Sequence, residues 1–293
     1  MDSSLPPPCL WTVMQAIPAP PDDTASGVPA IEAEAAGRQR VAPLARALAE
    51  GASPNTESDR EVLALMAAGQ WGTYLSEAIR GNDYFAAVIL LEGGADANDL
   101  HALAATAHSP LLEFAELLAK NGADFSFVDR EGLNFAHCAA QANNPLVFNW
   151  IAKKDTASLL MRSLAGKTPL DEFDEQDSSE VAQSVFFCLK NGLLDPNEPV
   201  SGVPAYFCLM DFFYGGDLPH EVEQEKAATA LFLELARKNA LAETVNGESV
   251  VALALREQPH RARKLGRHWA LAQQAALEDG LPGGCVSRKP KAL

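Results

Sequence analysis

The sequence predicts an all-α chain in which pairs of short helices recur along its length, and three observations carry that expectation. Glycine-led openings return at a near-constant period, with Gly132, Gly166 and Gly202 spaced by 34 and 36 residues. Leucine-rich runs close on a glycine four times, from Leu44 to Gly51, Ile89 to Gly94, Leu117 to Gly122 and Leu189 to Gly192. Openings and closings also interlock in the order that a helix-turn-helix unit requires. The closing glycines have a physical reason to be there: a helix commonly stops by placing one residue in the left-handed conformation, which glycine adopts without steric cost. The Asp and Asn that follow, as in Gly94-Ala-Asp-Ala-Asn98, suit a tight turn into the next unit.

Taken in order, residues 1–38 carry Pro6, Pro7, Pro8, Pro18, Pro20 and Pro21 among Ser, Asp and Ala, and are expected to be disordered. The stretch from Cys9 to Ile17 is the exception, apolar enough to dock on the body or on a partner. Val41, Leu44, Ala45 and Leu48 recur at helical spacing and predict a helix ending at Gly51, and a further helical stretch is expected from Glu61 to Ala68. The clearest full unit runs from Gly72 to Glu92, with Leu75, Ala78 and Ile79 on one helix and Ala87, Val88, Leu90 and Leu91 on the next. A second pair is expected at Leu100 to Thr106 and Leu111 to Lys120, with Pro110 in the first turn of the latter. The central unit opens at Asp129 and places its second helix at Pro145 to Lys153. The following unit begins at Thr168, and its connection Asp171 to Glu180 is acidic at six of ten positions. That connection reads as a solvated loop with Ser178 or Ser179 capping the helix Val181 to Lys190, the alternative being an acidic docking patch. The unit opening at Gly202 is longer, at 45 residues to Gly247, and the excess lies around Asp211 to His220, ahead of a helix from Glu221 to Arg237. The last pair, Val250 to Arg256 and Arg263 to Leu277, is expected to cap the open end.

The twelve residues Asp129-Arg-Glu-Gly-Leu-Asn-Phe-Ala-His-Cys-Ala-Ala140 resemble the opening of an ankyrin repeat, Asp-x-x-Gly-x-Thr-Pro-Leu-His-x-Ala-Ala. Asp129, Gly132, His137, Ala139 and Ala140 match, while Asn134, Phe135 and Ala136 stand in place of Thr, Pro and Leu. Gly166-Lys-Thr-Pro-Leu-Asp171 repeats the pattern, and the closings are similar to the family's Gly-Ala-Asp-x-Asn. The resemblance covers roughly residues 42 to 277 and implies a divergent ankyrin-type solenoid of about six units at 39–277, the first and last being degenerate caps. A polar, basic tail is expected at 278–293. Heavy alanine use and irregular repeats fit a bacterial protein.

Hydrophobic residues make up 47% and charged residues 21% of 293, which fits a folded chain, and a stack of repeats reaches this length as one unit. No run approaches the ~18 apolar residues of a membrane helix, and the N-terminal apolar patch has no basic region ahead of it, so neither a membrane partner nor a secretory signal is expected. Cys9, Cys138, Cys188, Cys208 and Cys285 have neither metal-ligand spacing nor disulfide density, and read as reduced thiols of a cytoplasmic protein. Cys138, Cys188 and Cys208 fall on apolar helical faces as core residues, and His137 reads as a structural hydrogen-bonding group. Residues 254–293 hold eight Lys and Arg against three acids, a net +5, so the preceding chain carries −21 of the total −16. Phosphate would be repelled by such a body, which disfavours nucleic acid and favours a basic partner.

These readings converge on a protein-binding module acting through a concave face and inter-repeat loops, without cofactor or metal. Its expected contacts are Arg130, Glu131, Leu133 and Asn134 in the central turn, and Phe212, Phe213 and Tyr214 in the long insertion, aromatic rings being the usual anchors of interfaces. An acidic decoy that covers a nucleic-acid-binding protein shares that fold and differs in partner. An enzyme is the weaker reading, because there is no phosphate loop, nucleophile elbow or zinc-ligand spacing. The Ser- and Pro-rich N-terminus also suits the export signal of an effector injected into a host cell.

Overall fold

The computed structural model describes residues 10–19, 30–55, 72–173, 178–212 and 219–238, with scattered residues from 241 to 274. The described chain is mostly helical. Its strands are two-residue ones, Pro199–Val200 against Val203–Pro204 and Thr244–Val245 against Glu248–Ser249, both antiparallel. Contacts divide the chain into two compact units, Met1–Val147 and Phe148–Leu293.

In the first unit the helices are α1 (Leu10–Ala16), α2 (Ala30–Arg40), α3 (Ala42–Ala49), α4 (Tyr74–Arg80), α5 (Tyr84–Glu92), α6 (Leu100–His108), α7 (Leu112–Lys120) and α8 (Phe135–Gln141). The helix α9 (Pro145–Lys154) crosses the division. The pairs α4–α5 and α6–α7 are in contact, and so are α4–α6, α6–α8, α3–α5 and α5–α7. First helices therefore pack on first helices, and second helices on second helices. The side chains explain how two helical rows come so close. Ala78, Ala86, Ala87, Ala102, Ala107, Ala115, Ala136 and Ala139 are buried among Leu75, Leu90, Leu103 and Leu118, so small residues alternate with large ones across the interface.

Among the described residues, four helices are closed by a left-handed glycine in the same way. Gly122 (φ +85°) follows α7, its N–H donating to Ala119 O (3.2 Å) while Ala123 N–H donates to Leu118 O (3.0 Å). This double bond pattern satisfies the last free carbonyls, and it recurs after Ala49, Glu92 and Lys190. The short turns inside the helix pairs use asparagine for the same purpose. Asn82 (φ 52°) and Asn143 (φ 48°) take left-handed backbone, and the next residue, Asp83 or Asn144, accepts from the start of the following helix. Pro110 lies before α7 rather than in its first turn, which starts at Leu112. Ser109 Oγ accepts the Leu111 N–H there (3.1 Å).

The N-terminal segment departs from the expectation of disorder at residues 30–38, while α1 lies in the apolar stretch Cys9 to Ile17 expected to dock. Residues 10–16 and 30–40 are helical, Leu10 is buried, and α1 packs on α3. Arg40 explains part of this order: its Nη1 donates both to Pro18 O (2.8 Å) and to Asp83 Oδ2 (2.8 Å). One guanidinium thus joins the segment, the end of α2 and the cap of α5.

In the second unit, α9 runs into 3-10 helices at Thr156–Leu160 and Pro169–Glu172, followed by α10 (Ser178–Lys190), a 3-10 helix at Ala205–Phe212, and α11 (Pro219–Lys238). The 3-10 helix at Ala205–Phe212 packs against both α10 and α11, and all eight of its residues are buried. Its core is aromatic. Phe148 meets Phe173 (5.2 Å between centroids), Phe186 meets Phe212 (5.5 Å), and Tyr206, Phe232 and Trp269 form a mutual cluster at about 6 Å. Residues 265–271 are helical, within the helix expected at Arg263 to Leu277, and Leu265 is buried. The helix expected at Glu61 to Ala68, the greater part of the last pair and the tail at 278–293 lie outside the described residues.

Candidate protein-interaction surface

The turn from Val128 to Asn134 is built around one carboxylate. Asp129 Oδ1 accepts the N–H of Glu131 (2.9 Å) and of Leu133 (2.8 Å), while Asp129 N–H donates to Leu133 O (2.9 Å). Gly132 takes φ +79°, and Val128 and Asn134 form an isolated bridge below the turn. The Asp129 carboxylate is thus consumed by the backbone, and the two residues between it and the glycine are left on the outside. Arg130 and Glu131 are exposed, and Leu133 is half-buried.

Asn134 is a different matter, because it is 1% exposed and cannot be a contact residue. It caps α8, its Oδ1 accepting the His137 N–H (3.0 Å), while its own N–H donates to His137 Nδ1 (3.2 Å). His137 is buried in that role, so its ring is structural, as the sequence indicates. The capping box has its counterpart at Thr168 and Asp171, where Asp171 Oδ2 accepts from Thr168 N (2.9 Å) and Oγ1 (2.8 Å), and at Thr73 and Ser76. Asp171 Oδ1 also accepts the Ser201 N–H (2.6 Å). Asp171 is therefore a structural carboxylate and not a member of an acidic docking patch.

The insertion does not present Phe212 as an anchor. Phe212 is 8% exposed and packs on Phe186, so it closes the core of the second unit. Tyr206 to Asp211 are buried with it, which a short 3-10 segment squeezed between two helices makes unavoidable. Phe213 and Tyr214 lie outside the described residues.

The turns themselves are tied to one another in the first unit. Asn98 Oδ1 accepts the Asp124 N–H (2.7 Å), and Asn55 Oδ1 accepts the Asp96 N–H (3.1 Å) while its amide donates to Gly94 O (3.2 Å). Each closing asparagine is held by the acid two residues before it or by a serine. Asp96 Oδ1 accepts from Asn98 N (2.9 Å), and Ser53 Oγ from Asn55 N (3.3 Å). The sequence shows these asparagines as turn formers but not as cross-links, because the partner backbone lies 26 or 41 residues away. The chain matches no protein-family model and no curated protein. The geometry therefore has to speak for itself.

Burial pushes the Cys138 thiol up to about 11, with the Asp129 charge adding to it, and pushes Cys188 and Cys208 up to about 12. A nucleophilic thiol needs the opposite shift. Asp124 is held below the ordinary carboxylate range by the Ser126 hydroxyl and N–H, which is a turn bond again. Glu77 is raised by burial, against the attraction of Arg80. Among the described residues no group of three metal-ligating side chains gathers, and no described helix is long and apolar enough to cross a membrane. A cavity of about 360 Å³ lies between the end of α10 and α11, floored by Leu189, Leu194 and Leu231 and rimmed by Lys190, Asp195 and Glu234.

The second unit carries exposed apolar residues that sequence patterning did not single out. Leu160, Met161 and Leu164 are 53%, 37% and 82% exposed. The signal was available in the period, since Leu164 stands 34 residues after Arg130.

Proposed function

We propose that the chain is a divergent ankyrin-type repeat protein whose task is to hold a protein partner with a basic surface, through the concave face and inter-repeat turns, and not to catalyse a reaction. The observation that carries this reading is the pair of cross-links from Asn55 to Asp96 and from Asn98 to Asp124. They make successive turns one rigid edge, and a rigid edge loses little freedom on binding. Arg130 and Glu131 project from the turn held by Asp129 and are the residues of this edge that lie ready for contact. The net charge of −16 supports a basic partner.

The test is capture of partners from a bacterial and a eukaryotic lysate, using the wild-type chain and a Glu131→Lys, Arg130→Ala variant in parallel. A basic protein captured by the former and lost by the latter, at unchanged melting temperature, supports the reading. Equal capture by both sinks the assignment of this turn. The charge of −21 before residue 254 also favours a decoy that neutralises a nucleic-acid-binding protein. For a decoy, affinity falls steeply with salt, whereas an interface of packed anchors keeps most of its affinity.

A further inference from the structure

We propose that the segment from Lys153 to Lys167 in the second unit docks a short acidic segment of a partner protein that also carries apolar side chains. The inference stands apart from the reading of the first unit, since it concerns other residues and the opposite charge. Lys153, Lys154, Arg162 and Lys167 are exposed here, with Asp155 the one acid of the segment and Glu172 beside Lys167 at 3.8 Å, in a chain whose net charge is −16. Between these cations stand the exposed Leu160, Met161 and Leu164.

The fold does not need an apolar residue at this tip. Ser163 N–H donates to Lys167 O (2.9 Å) and Gly166 N–H to Ser163 O (2.8 Å), with Gly166 at φ +79°. The turn at Asp129 has the same bonds, from Asp129 N–H to Leu133 O (2.9 Å) and from Gly132 N–H to Asp129 O (3.2 Å). Arg130 occupies that tip where Leu164 occupies this one, so a polar residue serves the turn equally well. A leucine left 82% exposed on a bonded hairpin is thus a cost in water that the fold does not recover. An apolar partner surface recovers it.

The cations are also held in place. Lys153 Nζ sits 4.9 Å from the Phe187 ring centroid and Lys154 Nζ 4.4 Å from that of Trp150, while Arg162 Nη1 donates to Gly166 O (2.8 Å). Side chains already ordered lose less freedom when a carboxylate arrives. The same charges argue for a short occupant. Charge is screened over ~8 Å at physiological ionic strength, so a short acidic segment senses the local cations, while a membrane or nucleic acid extends onto the acidic remainder of the chain.

The test uses the full chain and a short labelled synthetic peptide with Glu and Leu at helical spacing, followed by fluorescence anisotropy. A counterpart with Gln for Glu, vesicles of phosphatidylserine and phosphatidylcholine, and sedimentation of the protein alone complete the set. The expected result is that the Glu peptide binds the wild type, and that Leu164→Ser and Arg162→Gln each weaken binding by about tenfold. Melting temperature stays unchanged in both, the Gln peptide binds about tenfold more weakly, and Arg130→Ala has no effect. The proposal is overturned if the Glu peptide does not bind, or if Leu164→Ser binds it as tightly as the wild type. It is equally overturned if Leu164 is needed instead for vesicle binding or for self-association of the chain.

Discussion

Asn98 accepts the backbone N–H of Asp124 on its side-chain oxygen at 2.7 Å, across 26 residues of chain. Asn98 is set for this by Asp96, whose carboxylate takes the Asn98 N–H, and the Asn55 side chain repeats the relation toward Asp96. The bond is exposed, so its net worth is that of an ordinary hydrogen bond. Asn98→Ala is expected to lower unfolding stability by about 1 kcal/mol, read as a lower urea midpoint with unchanged slope. Asn98→Asp is expected to be no better than Ala, because the new charge faces the carboxylate of Asp96 two residues away. A midpoint equal to wild type for Asn98→Ala would show that the turns are not coupled through this side chain.

At Gly122 the cost of a side chain is one of conformation alone. A Cβ added there meets nothing within 4 Å, but the backbone sits at φ +85°. Gly122→Ala is expected to destabilise by about 1–2 kcal/mol, and Gly122→Val by more, since a β-branched residue fits this region worst. Gly122→Asn should cost least, as Asn82 and Asn143 tolerate the same region in this chain. Chemical denaturation of the three variants reads out that order, and Val milder than Asn would refute the assignment of Gly122 as a helix-end residue.

The helices were visible in the sequence because their signals are local. Apolar spacing over Tyr74–Arg80 and Leu100–His108, and the glycines after α3, α5, α7 and α10, need no knowledge of distant partners. The openings at Gly132, Gly166 and Gly202 share a left-handed backbone, which their spacing alone does not state. What escaped depends on distant or competing interactions. Asn134 reads as an exposed polar residue until the cap on His137 turns it inward, and Phe212 reads as surplus until Phe186 is found against it. Arg40 lies at the edge of a proline-rich, polar stretch, and nothing local announces a partner at Asp83.

Phe212 follows from this as a stability residue. Its ring packs on Phe186 at 5.5 Å between centroids and is almost wholly enclosed. Phe212→Ala is expected to destabilise by about 3 kcal/mol, and Phe212→Leu by clearly less. Differential scanning calorimetry of both variants checks this. A melting temperature unchanged in Phe212→Ala, together with weakened partner binding, would restore the ring to an interface.

The thiols of half-buried Cys138 and buried Cys188 and Cys208 give a pH dependence whose sign is fixed. Cys138, pushed up to about 11, and Cys188 and Cys208, pushed up to about 12, keep their protons in the fold well above the ordinary thiol range. In the unfolded chain they ionise near ~8.5. The folded state therefore binds more protons between these limits, so the thiols' contribution is fully present below the unfolded value and is lost as pH rises through the folded ones. With Cys9 and Cys285 changed to Ser, a disulfide reagent at mildly alkaline pH is expected to label the native chain far more slowly than the urea-unfolded chain. Labelling at equal rates in the two states would place these thiols in solvent.

The last expectation concerns Arg40 and Asp83, whose side chains are 12% and 14% exposed and meet through the two Nη nitrogens. Asp83 has a second duty, accepting the Ala86 N–H at the start of α5 (3.0 Å). Arg40 has one too, on Pro18 O. Removing the arginine leaves a nearly enclosed carboxylate with its cap bond alone, and so costs more than the pair is worth. Arg40→Ala is expected to destabilise by about 3 kcal/mol, whereas Arg40→Met combined with Asp83→Ser keeps a cap, removes both charges and should recover most of that loss. Because Pro18 loses its donor in both variants, limited proteolysis between α1 and α2 should quicken in both, whatever the stability. If cleavage there is unchanged in Arg40→Ala while stability falls, the guanidinium serves the cap of α5 and does not fasten the N-terminal segment.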